Sequence, residues 1–97
     1  MVKTHYIKLL QDFADAIVTG EKTFEIRRND RGYQRGDRVV FQAVERAADG
    51  EKYPIPHEIN NRMYEITYVL NGFGLVNGFV AFGIREEGEI VDEREYQ

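Results

Sequence analysis

Polar and apolar residues alternate from the start of the chain. In residues 3–9, KTHYIKL, His5, Ile7 and Leu9 fall on one face and Thr4, Tyr6 and Lys8 on the other. A period of two is that of a half-buried strand. The period then changes: Leu10, Phe13, Ala14, Ile17 and Val18 stand at i, i+3, i+4, i+7 and i+8. That spacing predicts an amphipathic helix of about 10 residues with those side chains on its buried stripe. Asp12 and Asp15 lie in its first half, where negative charge suits the helix dipole, and Gly20 stops it as a left-handed terminal residue. Alternation returns from Thr23 to Arg28. There Phe24 and Ile26 are expected to face a core, with Thr23, Glu25 and Arg27 on the opposite face.

Asn29 to Gly36 reads as an irregular connection, with Gly32 and Gly36 at turns and Asp30 able to bond its own backbone. Arg38 to Val44 is the next strand, with Val39, Phe41 and Ala43 on one side and Val40, Gln42 and Val44 on the other. Arg46 to His57 contains Asp49-Gly50, Pro54 and Pro56 and is expected to be a loop with His57 solvated. A long strand follows from Ile59 to Leu70, in which Tyr64, Ile66, Tyr68 and Leu70 share a face. Asn71 to Asn77 is a turn, and Phe79 to Ile84 is a last strand, apolar on both faces and therefore central or barrel-lining. The pattern predicts a mainly β (α+β) domain with one amphipathic helix after the first strand. So few residues bury two sheet faces most economically by curling about five to six strands into a small barrel capped by the helix.

Composition narrows this further. A chain of 97 residues is one domain, with an expected stability of roughly 5–10 kcal/mol. Cysteine is absent, which excludes disulfides and thiolate metal sites. His5 and His57 are far apart among scattered carboxylates, so neither a metal nor another cofactor is expected. No signal peptide is read and no apolar run approaches the roughly 20 residues of a membrane helix, so a cytoplasmic, soluble protein is expected. Charge is segregated. Of the net −4, residues 86–97 contribute −5, which leaves +1 on residues 1–85. The expected organisation is a domain over residues 1–85 and an acidic tail over 86–97. Lys22 to Arg38 holds six cations against Glu25, Asp30 and Asp37. A basic segment on a near-neutral body suits a phosphate-bearing ligand.

Within that segment, Gly20-Glu21-Lys22-Thr23-Phe24-Glu25-Ile26-Arg27 fits the pattern G-x-K-x-x-E-x-R at the junction of helix and strand. With the His-bearing first strand, Asn29-Asp30-Arg31 and the Gly36-Asp37 turn, the chain from residue 3 to 85 resembles a compact branch of the ASCH domain superfamily, related to the PUA domains that bind RNA. The resemblance implies a PUA-like β-barrel with a cleft beside the motif and RNA or a nucleotide-like ligand as partner. Lys22 offers an ammonium to a phosphate, and Arg27 a planar fork for a phosphate or a base. Glu25 can orient Arg27 or accept from a base amine. Thr23, Asn29, Asp30 and Tyr33 complete the expected ligand contacts. Among the aromatics, Tyr33 is assigned to ligand, while Tyr53, Tyr64, Tyr68, Phe73 and Phe79 are assigned mainly to core.

Two functions follow. The first is an RNA- or nucleotide-binding module without turnover, acting as a monomer or weak homodimer. The second is a hydrolase of a modified nucleoside or RNA, because one branch of the superfamily hydrolyses acylated cytidine. Its nucleophilic threonine corresponds to Glu25 here, so catalysis would fall to Lys22, Glu25 and His5 through an activated water. His5 meets Glu25 in that reading only if the first strand and the motif strand align.

Overall fold

The structure, a computed structural model, describes residues 1–89. The first strand, β1 (Thr4–Leu10), buries His5, Ile7 and Leu9 and exposes the residues between them. Helix α1 (Gln11–Val18) follows without a break and buries Ala14 and Ile17. Gly20 ends the helical segment at φ +86°, a conformation that costs glycine nothing. Phe13, expected on the buried stripe, is exposed instead. Its ring lies 4.8 Å beneath the Lys22 ammonium, so it serves a cation and not the core.

The remaining elements are β2 (Phe24–Arg28), β3 (Arg38–Arg46), β4 (Lys52–Pro54), a single 3-10 turn (Glu58–Asn61), β5 (Arg62–Asn71) and β6 (Phe79–Glu89). They form one sheet in the order β1-β3-β5-β6-β2, with β4 beside the end of β3. β1 and β3 are parallel, as the crossover through α1 and β2 requires, and the other pairs are antiparallel. Val39, Phe41 and Ala43 oppose His5, Ile7 and Leu9 and carry the same inward face across. Tyr64, Ile66, Val80, Phe82 and Ile84 complete the core with Ile59, and α1 packs over β1, β3 and the 3-10 turn.

Several expectations change here. The region expected as a loop contains β4, and the long strand starts at Arg62 because Glu58–Asn61 form the 3-10 turn. His57 is held between elements and is not solvated. Its Nδ1 accepts from the Ile59 N–H at 3.1 Å, and its Nε2 donates to Asp15 Oδ1 at 2.7 Å. The first bond fixes the tautomer, and the second ties the 3-10 turn to α1. His57→Ala is expected to lower stability by about 1–2 kcal/mol in urea unfolding, from a lost cap and a lost clasp. In β5 the expected face holds only as far as Ile66. A bulge between Ile66 and Tyr68 then moves the inward position by one residue, leaving Tyr68 62% exposed while Val69 packs on the core. Gly83 pairs with Tyr68 at this bulge, and a Cβ there would stand 2.7 Å from Thr67 Oγ1. The last strand continues to Glu89, so Glu86, Gly88 and Glu89 of the expected acidic tail pair with β5. Residues 90–97 of that tail lie outside the described residues.

The expected barrel is not closed by backbone pairing. β1 and β2 are the two edges of the sheet. Arg27 Nη2 donates to Lys8 O at 2.6 Å, and Arg31 Nη1 donates to Tyr6 O at 2.8 Å. Two arginine side chains therefore occupy the seam where a backbone ladder would run, and they satisfy the carbonyls on the open edge of β1.

Candidate functional site

The register of β2 on β6 decides what lines the seam. Residues directly opposite in an antiparallel pair share a face. Glu25 opposes Phe82 and Arg27 opposes Val80, and both partners point into the core. Glu25 is consequently only 3% exposed, while Phe24 and Ile26 lie outside at 45% and 50%. This reverses the expected orientation of the motif strand. Alternation fixes the period of a strand, and its partner fixes which face is inside.

A buried carboxylate needs charge partners. Glu25 has two: Lys22 Nζ bonds Oε1, and Arg27 Nε donates to Oε2 at 2.9 Å. The Lys22 ammonium also lies 4.8 Å from the Phe13 ring centroid and 5.3 Å from that of Phe24. With its Nη2 on Lys8 O, Arg27 links the motif carboxylate to the edge of β1. Above this cluster the two edges leave a cleft of about 260 Å³, lined by Lys8, Phe13, Glu25, Arg27, Arg28, Lys52 and Phe79 among others. Lys22 and Arg27 are spent on Glu25. Among the described residues, Lys8, Arg28 and Lys52 have no ion-pair partner, so they add three unpaired charges to the one that Glu25 leaves uncompensated. The Arg28 guanidinium sits 5.0 Å from the centroid of the Phe79 ring.

His5 does not pair with Glu25. Its Nε2 bonds Asp37 Oδ2 at 2.8 Å, with both side chains about 5% exposed or less. Asp37 also accepts from the backbone N–H groups of Lys3 and Gln34, each at 3.1 Å. Burial pushes the Asp37 carboxyl up, but the bonds from His5, Lys3 and Gln34 outweigh it and hold the group below its ordinary value. Tyr33 is packed inside, 4.7 Å from the His5 ring and 4.8 Å from Phe82. Burial raises its phenol, and nearby Arg31 and Arg27 pull it down by less, so it remains protonated at neutral pH.

Of the residues singled out from sequence, the fold brings Lys22, Glu25 and Arg27 into one cluster. Thr23 precedes β2 on the surface and gives its carbonyl to the Ile84 N–H. Asn29 accepts from the Tyr33 N–H at 3.1 Å and so shapes the connection, and Asp30 is exposed beside it. The residues missed are Lys8, Arg28, Lys52 and Asp37. Asp37 carried one signal: a carboxylate just before a buried strand, on the chain that pairs with the His-bearing strand. Arg28 carried only its place in the basic segment, and Lys8 and Lys52 carried no signal, because the curvature that brings β1, β2 and β4 around one cleft is tertiary. Among the described residues, no group of three or more His, Asp or Glu is placed to hold a metal, and no helix is long and apolar enough to cross a membrane.

Two comparisons bear on this chain. It is 40% identical over 41 residues to the "Uncharacterized 12.9 kDa protein in GpA 3'region" of Escherichia phage P2. That match covers 42% of the chain and 38% of the phage protein, well under half of either. Residues 4–84 match the family described as "Domain of unknown function (DUF3850)". The matched span starts with β1 and ends in β6, so it takes in the His5–Asp37 pair, the Glu25 cluster and the whole seam between the sheet edges. The chain belongs to the DUF3850 family.

Proposed function

We propose that this protein is an ASCH-type, PUA-like module that binds RNA or a nucleotide-like ligand in the cleft between β1 and β2. The observation that carries the reading is the pairing of charges. Glu25 engages both Lys22 and Arg27, leaving that cluster one net positive charge, while Lys8, Arg28 and Lys52 remain unpaired around the rim. Unpaired cations around a narrow cleft suit phosphate, and the exposed ring of Phe13 in its lining suits a base or sugar face. The reading places the protein in the cytoplasm, as a monomer or weak homodimer.

The test is fluorescence anisotropy with a short single-stranded RNA at two salt concentrations. Three phosphate contacts predict a loss of about twentyfold in affinity between 50 and 200 mM salt. Replacing Lys8, Arg28 and Lys52 together by alanine should weaken binding and flatten that dependence. All three side chains point to solvent or the cleft, so the fold should survive. Equal affinity and equal salt slope in the triple variant would overturn the reading.

One observation favours hydrolysis as a second reading: Glu25, a buried carboxylate lining the same cleft, is in direct contact with the Lys22 ammonium. In this reading the substrate is an acylated cytidine or a similarly modified nucleoside, and Glu25 activates a water. His5 stands apart on Asp37 and serves the fold. Release of acid from such a nucleoside by the wild type, abolished in Lys22→Met, is the expected sign, and absence of turnover removes this reading.

A further inference from the structure

The loop between β5 and β6, Gly72 to Gly78, walls a second cleft of about 460 Å³ that the motif does not reach. Its lining includes Asn29, Asn71, Asn77, Leu75, Val76 and Phe79, with no charged side chain. A neutral, amide-lined cavity of this size suits a flat heterocycle and not a phosphate. Asn29 uses its Oδ1 on the Tyr33 N–H and Asn60 is bonded at both ends, whereas the amides of Asn71 and Asn77 have no partner among the described residues. Each free amide offers one acceptor and two donors, the mixture that the edge of an unpaired base requires.

Phe73 gives the second, independent observation. It lies at φ +50°, between Gly72 at +73° and Gly74 at +93°. A bulky residue in the left-handed region is strained, and it persists only where something favours it. Burial does not, since the ring is 92% exposed. Glycine would fit the backbone better and expose less apolar surface. The loop itself is held in shape: Leu75 N–H bonds Gly72 O, Phe79 N–H bonds Val76 O, and Asn29 N–H bonds Gly78 O at 2.8 Å. The loop thus displays an aromatic ring that nothing among the described residues covers.

The two clefts adjoin. Phe79 lines both, and Arg28, stacked 5.0 Å from its ring, is followed directly by Asn29 of the second cleft. We infer that the cleft under the β5–β6 loop is a nucleobase subsite for single-stranded RNA. One base is read there by Asn71 and Asn77, and the exposed Phe73 ring, which stands outside the lining of the cleft, turns onto its open face, while the phosphates run past Arg28 into the cationic cleft. This rests on the RNA-binding reading proposed above and extends it from backbone attraction to base contact.

The probes are labelled pentauridine and a five-nucleotide strand with the same backbone but no bases. The wild type is expected to bind pentauridine about tenfold more tightly than the abasic strand, the size of one stacked base. Phe73→Ala should remove most of that preference without changing affinity for the abasic strand, and Asn77→Leu, which fills the cleft, should do the same. Phe73→Gly should lose the preference while raising Tm, because it relieves the backbone. Loss of affinity for both strands in the Lys8, Arg28, Lys52 triple variant, with Phe73→Ala unchanged on both, overturns the base subsite and leaves the phosphate cleft standing. Failure of the wild type to bind either strand overturns both.

Discussion

Glu25→Ala is expected to be the most damaging single substitution in the chain, costing about 3–5 kcal/mol. The carboxylate is buried, with Lys22 and Arg27 on its two oxygens, and these side chains are only 17% and 25% exposed. Removing it leaves two desolvated cations facing each other across an apolar floor. The loss is a large part of the stability a domain of this size has, and it corresponds to a fall in Tm of roughly 15–30 °C. Lys22→Met should cost less, because Glu25 keeps Arg27. Urea and thermal unfolding of both variants measure this. A loss under about 1 kcal/mol for Glu25→Ala would mean that the carboxylate is hydrated and that the cluster is an ordinary surface pair. The size of this effect also governs the choice of binding variants: alanine at Glu25 or Arg27 confounds folding with affinity, and alanine at Lys8, Arg28 and Lys52 does not.

Asp37→Ala comes second, at about 2–4 kcal/mol. Three donors lose their acceptor at once: the His5 ring, the Lys3 N–H and the Gln34 N–H. The first is buried against Tyr33, so water replaces the lost bond poorly. The position also has a pH signature. Burial raises the Asp37 carboxyl, the bonds from His5 and from Lys3 and Gln34 lower it by more, and the folded value ends below the unfolded one. Between those two values the unfolded chain holds the extra proton, so stability falls as pH falls. The contribution is complete above the ordinary aspartate value of about 3.9 and is lost as pH drops through the folded one. The stability gap between wild type and Asp37→Asn should therefore stay constant from neutral pH to about pH 5 and narrow in stronger acid. A gap that widens on acidification would overturn the assignment. His5→Ala and Asp37→Ala should also combine for less than their sum, since the first bond can be lost only once.

Much of the architecture was legible in residue order. The two-residue period of KTHYIKL placed His5, Ile7 and Leu9 inside, and the periodicity of Leu10 to Val18 with Gly20 behind it marked the helix and its stop. Val39, Phe41 and Ala43 were recognisable as core. These succeed because both neighbours of the element make the same demand as its own pattern. The motif strand failed that condition. Phe24 and Ile26 look like an inward face, but pairing with Val80 and Phe82 turns Glu25 and Arg27 inward instead. Its neighbour's register outweighed its hydrophobicity, and two cations make the inversion tolerable.

By itself, then, the sequence determined the order of the first strand, the helix and the main strands after it, and a concentration of cations and a carboxylate around Gly20 to Arg38. Those are properties of local period and local composition. Only the tertiary structure decided which face of β2 is buried, that a bulge at Thr67 turns Tyr68 outward, and that Arg27 and Arg31 close the seam in place of a backbone ladder. It also gave His5 to Asp37 and gathered Lys8, Arg28 and Lys52 around one cleft. The reason is the same in each case: these outcomes depend on registers and curvature between segments distant in the chain, from Tyr68 and Gly83 at a separation of 15 to Phe24 and Gly83 at 59. A local pattern carries no information about which distant partner it will meet.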